Sequence, residues 1–152
     1  MSDELDWEIK ADHQPNPEDV AFDLEATLSS VVALRTRVPE DAFTASTLGT
    51  ERGGNGVVIR DDGLILTIGY LITEADEVWL STEEGQAVAA HVVGYDQASG
   101  FGLVQALGPL GLPAMALGRS RDLTEGAEVI VAGNGGCRRS ICANVVSKRE
   151  FA

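Results

Sequence analysis

Between residues 53 and 105, short apolar runs are cut by glycine and aspartate turns at intervals of roughly eight to twelve residues. Runs such as Val57-Val58-Ile59 and Leu64-Ile65-Leu66 are too short for amphipathic helices. Asp61-Asp62-Gly63 separates them, and Asp-Gly between apolar runs predicts a hairpin joining residues 56–59 to 64–67. A second hairpin follows, with residues 77–81 and 87–93 joined through Glu83-Glu84-Gly85, and a further strand is expected at 102–107. Upstream, residues 30–36 read as a first strand by their β-branched content, and residues 39–52 as a polar loop rich in Asp, Ser, Thr and Gly. Such a series predicts an all-β, small antiparallel barrel or sandwich over residues 30–107, and excludes parallel strands with crossover helices.

Composition narrows the function classes. The chain has 152 residues, which suggests one domain with a sizeable core. Its formal net charge is −13, so a partner made of phosphates is disfavoured: no nucleic acid and no anionic membrane is expected. The N-terminus lacks a basic start followed by an apolar core, and no run approaches the ~20 residues of a membrane span. The expected location is cytoplasmic if Met1 is the native start and periplasmic if a signal has been trimmed. Cys137 and Cys142 are the only cysteines, too few for a structural zinc site, and are expected as free thiols in a hairpin. Gly53-Gly54-Asn55-Gly56 lacks the Lys-Ser/Thr of a phosphate loop. No metal and no cofactor is expected.

The ends of the chain read differently from its middle. Residues 1–17 form an acidic, flexible lead-in. Asn16-Pro17-Glu18-Asp19 carries a cap, a first-turn proline and acids at the positive dipole end, which predicts one short helix from there to Ser29. Residues 18–108 would hold that helix and the barrel; residues 109–152 would hold a Pro- and Gly-rich linker and two strands near 128–132 and 141–147. Two strands alone leave open edges and an apolar face of Val129, Val131, Ile141, Val145 and Val146. They must fold back on the barrel, pair with another copy, or take strands from a partner; pairing into a homo-oligomer is the expectation.

The order of these motifs resembles the trypsin-like serine proteases of the HtrA/DegP type. That family has G-S/N-G-V-I-I, a D-G turn, T-N-x-H-V, then V-G-x-D and S/T-D-I-A-L-I. Gly54-Asn55-Gly56-Val57-Val58-Ile59, Asp62-Gly63, Thr67, Val93-Gly94-Tyr95-Asp96 and Leu103-Val104 stand at matching spacings. Further on, Leu117-Gly118, Ser120, Leu123 and Gly126 fit its crossing into a second barrel, and residues 128–134 its V-x-A-I-G-N-P. The resemblance covers about residues 18–150 and implies a double barrel truncated in its second half. It also implies frequent export from the cytoplasm.

The resemblance fails where the chemistry lies. Tyr70 stands at the family's histidine position and Gly100 at its aspartate position. A phenol with a pKa near 10 cannot serve as the base, and glycine cannot orient one. Asp96 matches a turn aspartate, and His91 a surface strand position. His13 falls in the lead-in, where disorder is expected. Gly133-Asn134-Gly135-Gly136 lacks the serine of the nucleophile motif, which the family carries further downstream. Cys137 after it has no histidine nearby to act as base, and only Arg138 and Arg139 beside it would lower its pKa. The resemblance therefore implies a catalytically inactive homologue, with no catalytic residue in place and a binding or regulatory role toward a protein or peptide at the degenerate cleft. The alternatives are part of a longer endopeptidase with its nucleophile beyond Ala152, or a structural module completed by another chain.

Overall fold

Six strands close into one barrel in the computed structural model, which describes residues 7–149. They are β1 (Val31–Arg37), β2 (Glu51–Arg60), β3 (Leu64–Ile68), β4 (Glu77–Ser81), β5 (Ala87–Tyr95) and β6 (Phe101–Ala106). The order around the barrel is β1-β2-β3-β6-β5-β4, with β4 returning to β1, and every pairing is antiparallel. Closure removes the free edges that an open sheet of this size would present. The mostly β architecture and the closed barrel agree with the sequence reading.

Alternation along the strands builds the interior. In β1, Val32 and Leu34 point inward while Arg35 and Arg37 face out. Val58, Ile65, Leu71, Ile72, Val78, Leu80 and Val104 join them in one cluster. Burial of each such side chain stabilises the fold by about 1.5–3 kcal/mol. Gly56 belongs to this packing through its missing side chain: a Cβ there would lie 2.5 Å from Ile65 Cγ2 and 3.5 Å from the Leu66 carbonyl oxygen. Ile65 is branched at Cβ and cannot swing aside alone. Gly56→Ala is expected to cost about 1–3 kcal/mol, read from the midpoint of urea unfolding.

Three expectations need correction. The N-terminal helix does not run from residue 16. Asn16 does cap, its Oδ1 accepting from Glu18 N–H at 3.0 Å, but only a 3-10 turn (Pro17–Asp19) follows before Val20 returns to extended backbone. The helix proper, α1 (Leu24–Ser29), starts afresh because Asp23 Oδ1 accepts from Ala26 N–H at 3.1 Å, and it buries Leu24 and Leu28. The stretch expected as a polar loop up to Arg52 contains a one-turn helix, α2 (Ala45–Leu48), and the first residues of β2. His13, expected in a disordered lead-in, sits in a 3-10 turn (Ala11–His13).

The remaining strands, β7 (Glu128–Ala132) and β8 (Ser140–Asn144), form a separate two-stranded sheet. The turn of this hairpin touches the barrel. Asn134 N–H donates to Asn55 Oδ1 at 3.0 Å and its side-chain Nδ2 to the Val31 carbonyl at 3.1 Å. The lead-in also holds the hairpin tip, through Ile9 N–H to the Arg138 carbonyl, the Glu8–Arg138 ion pair at 3.0 Å, and Arg139 stacked 4.4 Å from the Trp7 ring centroid. Polar anchoring by the turn is something strand patterning does not reveal. Val131 and Val146 remain exposed.

Candidate functional site

Tyr70 lies on a 3-10 turn (Gly69–Leu71) immediately after β3, and Gly100 on the loop between β5 and β6. The barrel brings them together at one end. β3 and β6 are neighbours in register through Ile68 and Phe101, and Gly69 N–H donates to the Gly100 carbonyl at 2.7 Å. Tyr70 is half-buried, with 49% of its surface exposed. Gly100 has φ +80°, and a Cβ built on it would meet nothing within 4 Å.

Asp96 organises the Gly100 loop. Its carboxylate accepts from Ser99 N–H at 3.0 Å and Ala98 N–H at 3.4 Å, and its carbonyl from Gly100 N–H at 2.9 Å. The hydrogen bonding at Ser99, first the side chain and then the backbone, followed by Ala98, holds its pKa below the usual carboxylate value. It is a turn residue, as its sequence context indicates.

Sequence reasoning missed the group that fixes the Tyr70 turn. Arg52 is only 5% exposed. Its Nη1 donates to the carbonyls of Tyr70 at 2.8 Å and Thr73 at 3.0 Å, its Nε to Gly49 at 3.1 Å, and its Nη2 to Thr44 Oγ1 at 2.9 Å. Thr44 passes the connection on, donating its hydroxyl to Glu74 Oε2 at 2.5 Å. Glu74 also accepts from the backbone N–H groups of Phe43 at 3.0 Å and Thr44 at 2.7 Å. These bonds, the Thr44 hydroxyl first, lower its pKa, and Glu74 sits at φ +60°, an uncommon backbone for a residue with a side chain. Thr36 Oγ1 adds a bond to the Leu71 carbonyl at 2.6 Å, and Thr73 Oγ1 one to that of Gly69 at 2.9 Å. No buried side-chain nitrogen or oxygen among the described residues lacks a partner.

The other candidate groups lie apart from this end of the barrel. His91 is exposed on β5, and His13 is exposed beside Asp12. Cys137 and Cys142 are free thiols. Cys137 is not activated: burial first, then the carboxylates of Glu25 and Glu83, push its pKa up. Arg138 is engaged with Glu8 and Arg139 with Trp7, so the expected lowering by these neighbours in sequence is corrected. Iodoacetamide near neutral pH is expected to modify exposed Cys142 first and Cys137 roughly tenfold more slowly. The reverse order in mass spectra would reopen Cys137 as a nucleophile. A hollow of about 830 Å³ lies between α1, the barrel and the β7–β8 hairpin, lined by Phe22, Leu28, Val57, Met115 and Ile130 among others.

A closed antiparallel barrel whose β3–β4 and β5–β6 turns meet at one end, followed by the opening strands of a second sheet, is the architecture of a trypsin-like peptidase. The family model for the trypsin-like peptidase domain matches residues 54–151, and the chain belongs to that family. It is 32% identical over 97 residues to a probable periplasmic serine endoprotease, DegP-like, of Ectopseudomonas mendocina (strain ymp), covering 63% of this chain and 20% of that protein. It is 30% identical over 81 residues to the serine protease HTRA1 of Xenopus tropicalis, covering 53% and 18%. A solved HtrA-type protease, AlgW with a tripeptide, superposes with a TM-score of 0.67 at 21% identity, over 82% of this chain and 38% of that one. The chain thus spans about a fifth of the length of these curated relatives. The HtrA-type resemblance and the barrel fold both stand.

Proposed function

We propose that this trypsin-like, HtrA-type domain is catalytically inactive over these residues and serves as a binding or regulatory module for a protein or peptide. The observation that carries the reading is the Gly69–Gly100 hydrogen bond of 2.7 Å. It joins the two turns on which a base and its orienting carboxylate would be expected, yet the side chains there are a phenol and a hydrogen atom. Acyl transfer needs a base within reach of the nucleophile and a carboxylate to fix its tautomer. Pinned turns without titrating groups can still present a surface. A periplasmic location, as named for the bacterial relatives, belongs to the same proposal.

A serine-directed fluorophosphonate tests it: no labelling of this chain is expected beyond that of the unfolded control. Stoichiometric labelling at one serine would end the reading. The second reading, a longer endopeptidase supplying its nucleophile from residues not present here, is favoured by one fact: the chain covers 20% of its DegP-like relative. It requires that a longer form label while this chain does not.

A further inference from the structure

Phe43 is 91% exposed, and its position is held on both sides of the peptide chain. Its own N–H and that of Thr44 bind the carboxylate of Glu74, and Thr44 is bound in turn by buried Arg52. The same guanidinium holds the carbonyl of Tyr70. One buried side chain therefore fixes the segments that display two exposed aromatic rings. A fixed, exposed phenylalanine contributes nothing to the barrel core, and its ordering costs little further entropy on binding.

The two segments that carry these rings are rich in acids. Glu40, Asp41, Glu74 and Asp76 are all exposed on the two segments. Of the arginines nearby in sequence, Arg52 is buried, and Arg37 is exposed with Glu77 at 3.9 Å. The whole chain carries −13. Aromatic faces beside carboxylates attract cations that also have apolar surface, by cation–π contact and by charge, and the net field steers such a partner in.

We propose that Phe43 and Tyr70, rimmed by these acids, form the docking surface for a cationic, apolar peptide segment, one that alternates Lys or Arg with aromatic or aliphatic side chains. This rests on the reading of the Tyr70 turn as a binding site, and extends it to the loop that carries Phe43. Phe43 is the anchor, and Arg52 with Thr44 and Glu74 positions it.

The test uses fluorescein-labelled Lys-Phe-Lys-Leu-Lys and its counterpart with Glu for Lys, titrated with the intact chain by fluorescence anisotropy. The cationic peptide is expected to bind at least about tenfold more tightly than the acidic one, with the gap narrowing as salt is raised. Phe43→Ala is expected to weaken it about tenfold, the loss of an aromatic anchor, without moving the thermal midpoint, since the ring packs on nothing. Binding of both peptides alike, or unchanged binding by Phe43→Ala, would overturn the proposal. If Tyr70→Ala weakens binding and Phe43→Ala does not, the Tyr70 site survives and this surface falls. If neither peptide binds, this surface falls, while the proposed inactivity is decided separately by the fluorophosphonate labelling.

Discussion

Against unfolded casein, the chain is expected to be slower than a trypsin-like enzyme with an intact triad by at least about 10⁴-fold, and by roughly 10⁶-fold if no group substitutes at all. The double variant Tyr70→His, Gly100→Asp is expected to recover none of that loss. Three physical obstacles stand in its way. The Gly100 backbone lies at φ +80°, where an aspartate is strained, though less than most residues. A Cβ at this position faces open space, with no atom within 4 Å, so nothing would hold the new carboxylate against the new imidazole. Finally, no serine in these 152 residues stands in a Gly-x-Ser-Gly context, so a rebuilt base would have no matched nucleophile. Casein cleavage that appears in the double variant and is absent from the parent would put a nucleophile inside this chain and sink the proposed function.

The barrel was legible because its pairing is mostly local. Asp62-Gly63 and Glu84-Gly85 each join strands adjacent in sequence. The helix start was misplaced because two caps compete within one short stretch. Asn16 with Pro17 carries every local signal, but the second cap, Asp23, stands one residue before Leu24 and one turn before Leu28, the two residues that α1 buries. Residues that act over long sequence distances left no signal. The local neighbours of Cys137 are Arg138 and Arg139, whereas burial first, and then Glu25 and Glu83 far away in sequence, set the direction of its shift. The juxtaposition of Tyr70 with Gly100 came through the family resemblance alone; periodicity does not give it. Arg52 was hidden by reading its segment as a polar loop. Counting the alternation of β2 back from Val58 through Gly56 and Gly54 puts position 52 on the inner face, and an arginine there must find acceptors.

Arg52→Met is therefore expected to be among the most destabilising single changes outside the apolar core, at about 3 kcal/mol. Methionine keeps an unbranched apolar stem of similar reach, so the packing term is small and the loss reports the hydrogen bonds. Three carbonyls, Gly49, Tyr70 and Thr73, and the Thr44 hydroxyl lose a donor together. A buried acceptor left unpaired costs about 1–3 kcal/mol, but the losses do not add, because water can reach the part-exposed members. For a chain of this size the midpoint of thermal unfolding should fall by about 6–12 °C. Arg60→Met is the control: Arg60 also makes two charged hydrogen bonds, both to Asp62 at 2.7 Å, but that pair lies in solvent and should matter little. Equal urea midpoints for the two variants would mean that water replaces the guanidinium at Tyr70 and Thr73. The turn would then be held by Thr36, Thr73 and the Gly69–Gly100 bond without help from Arg52.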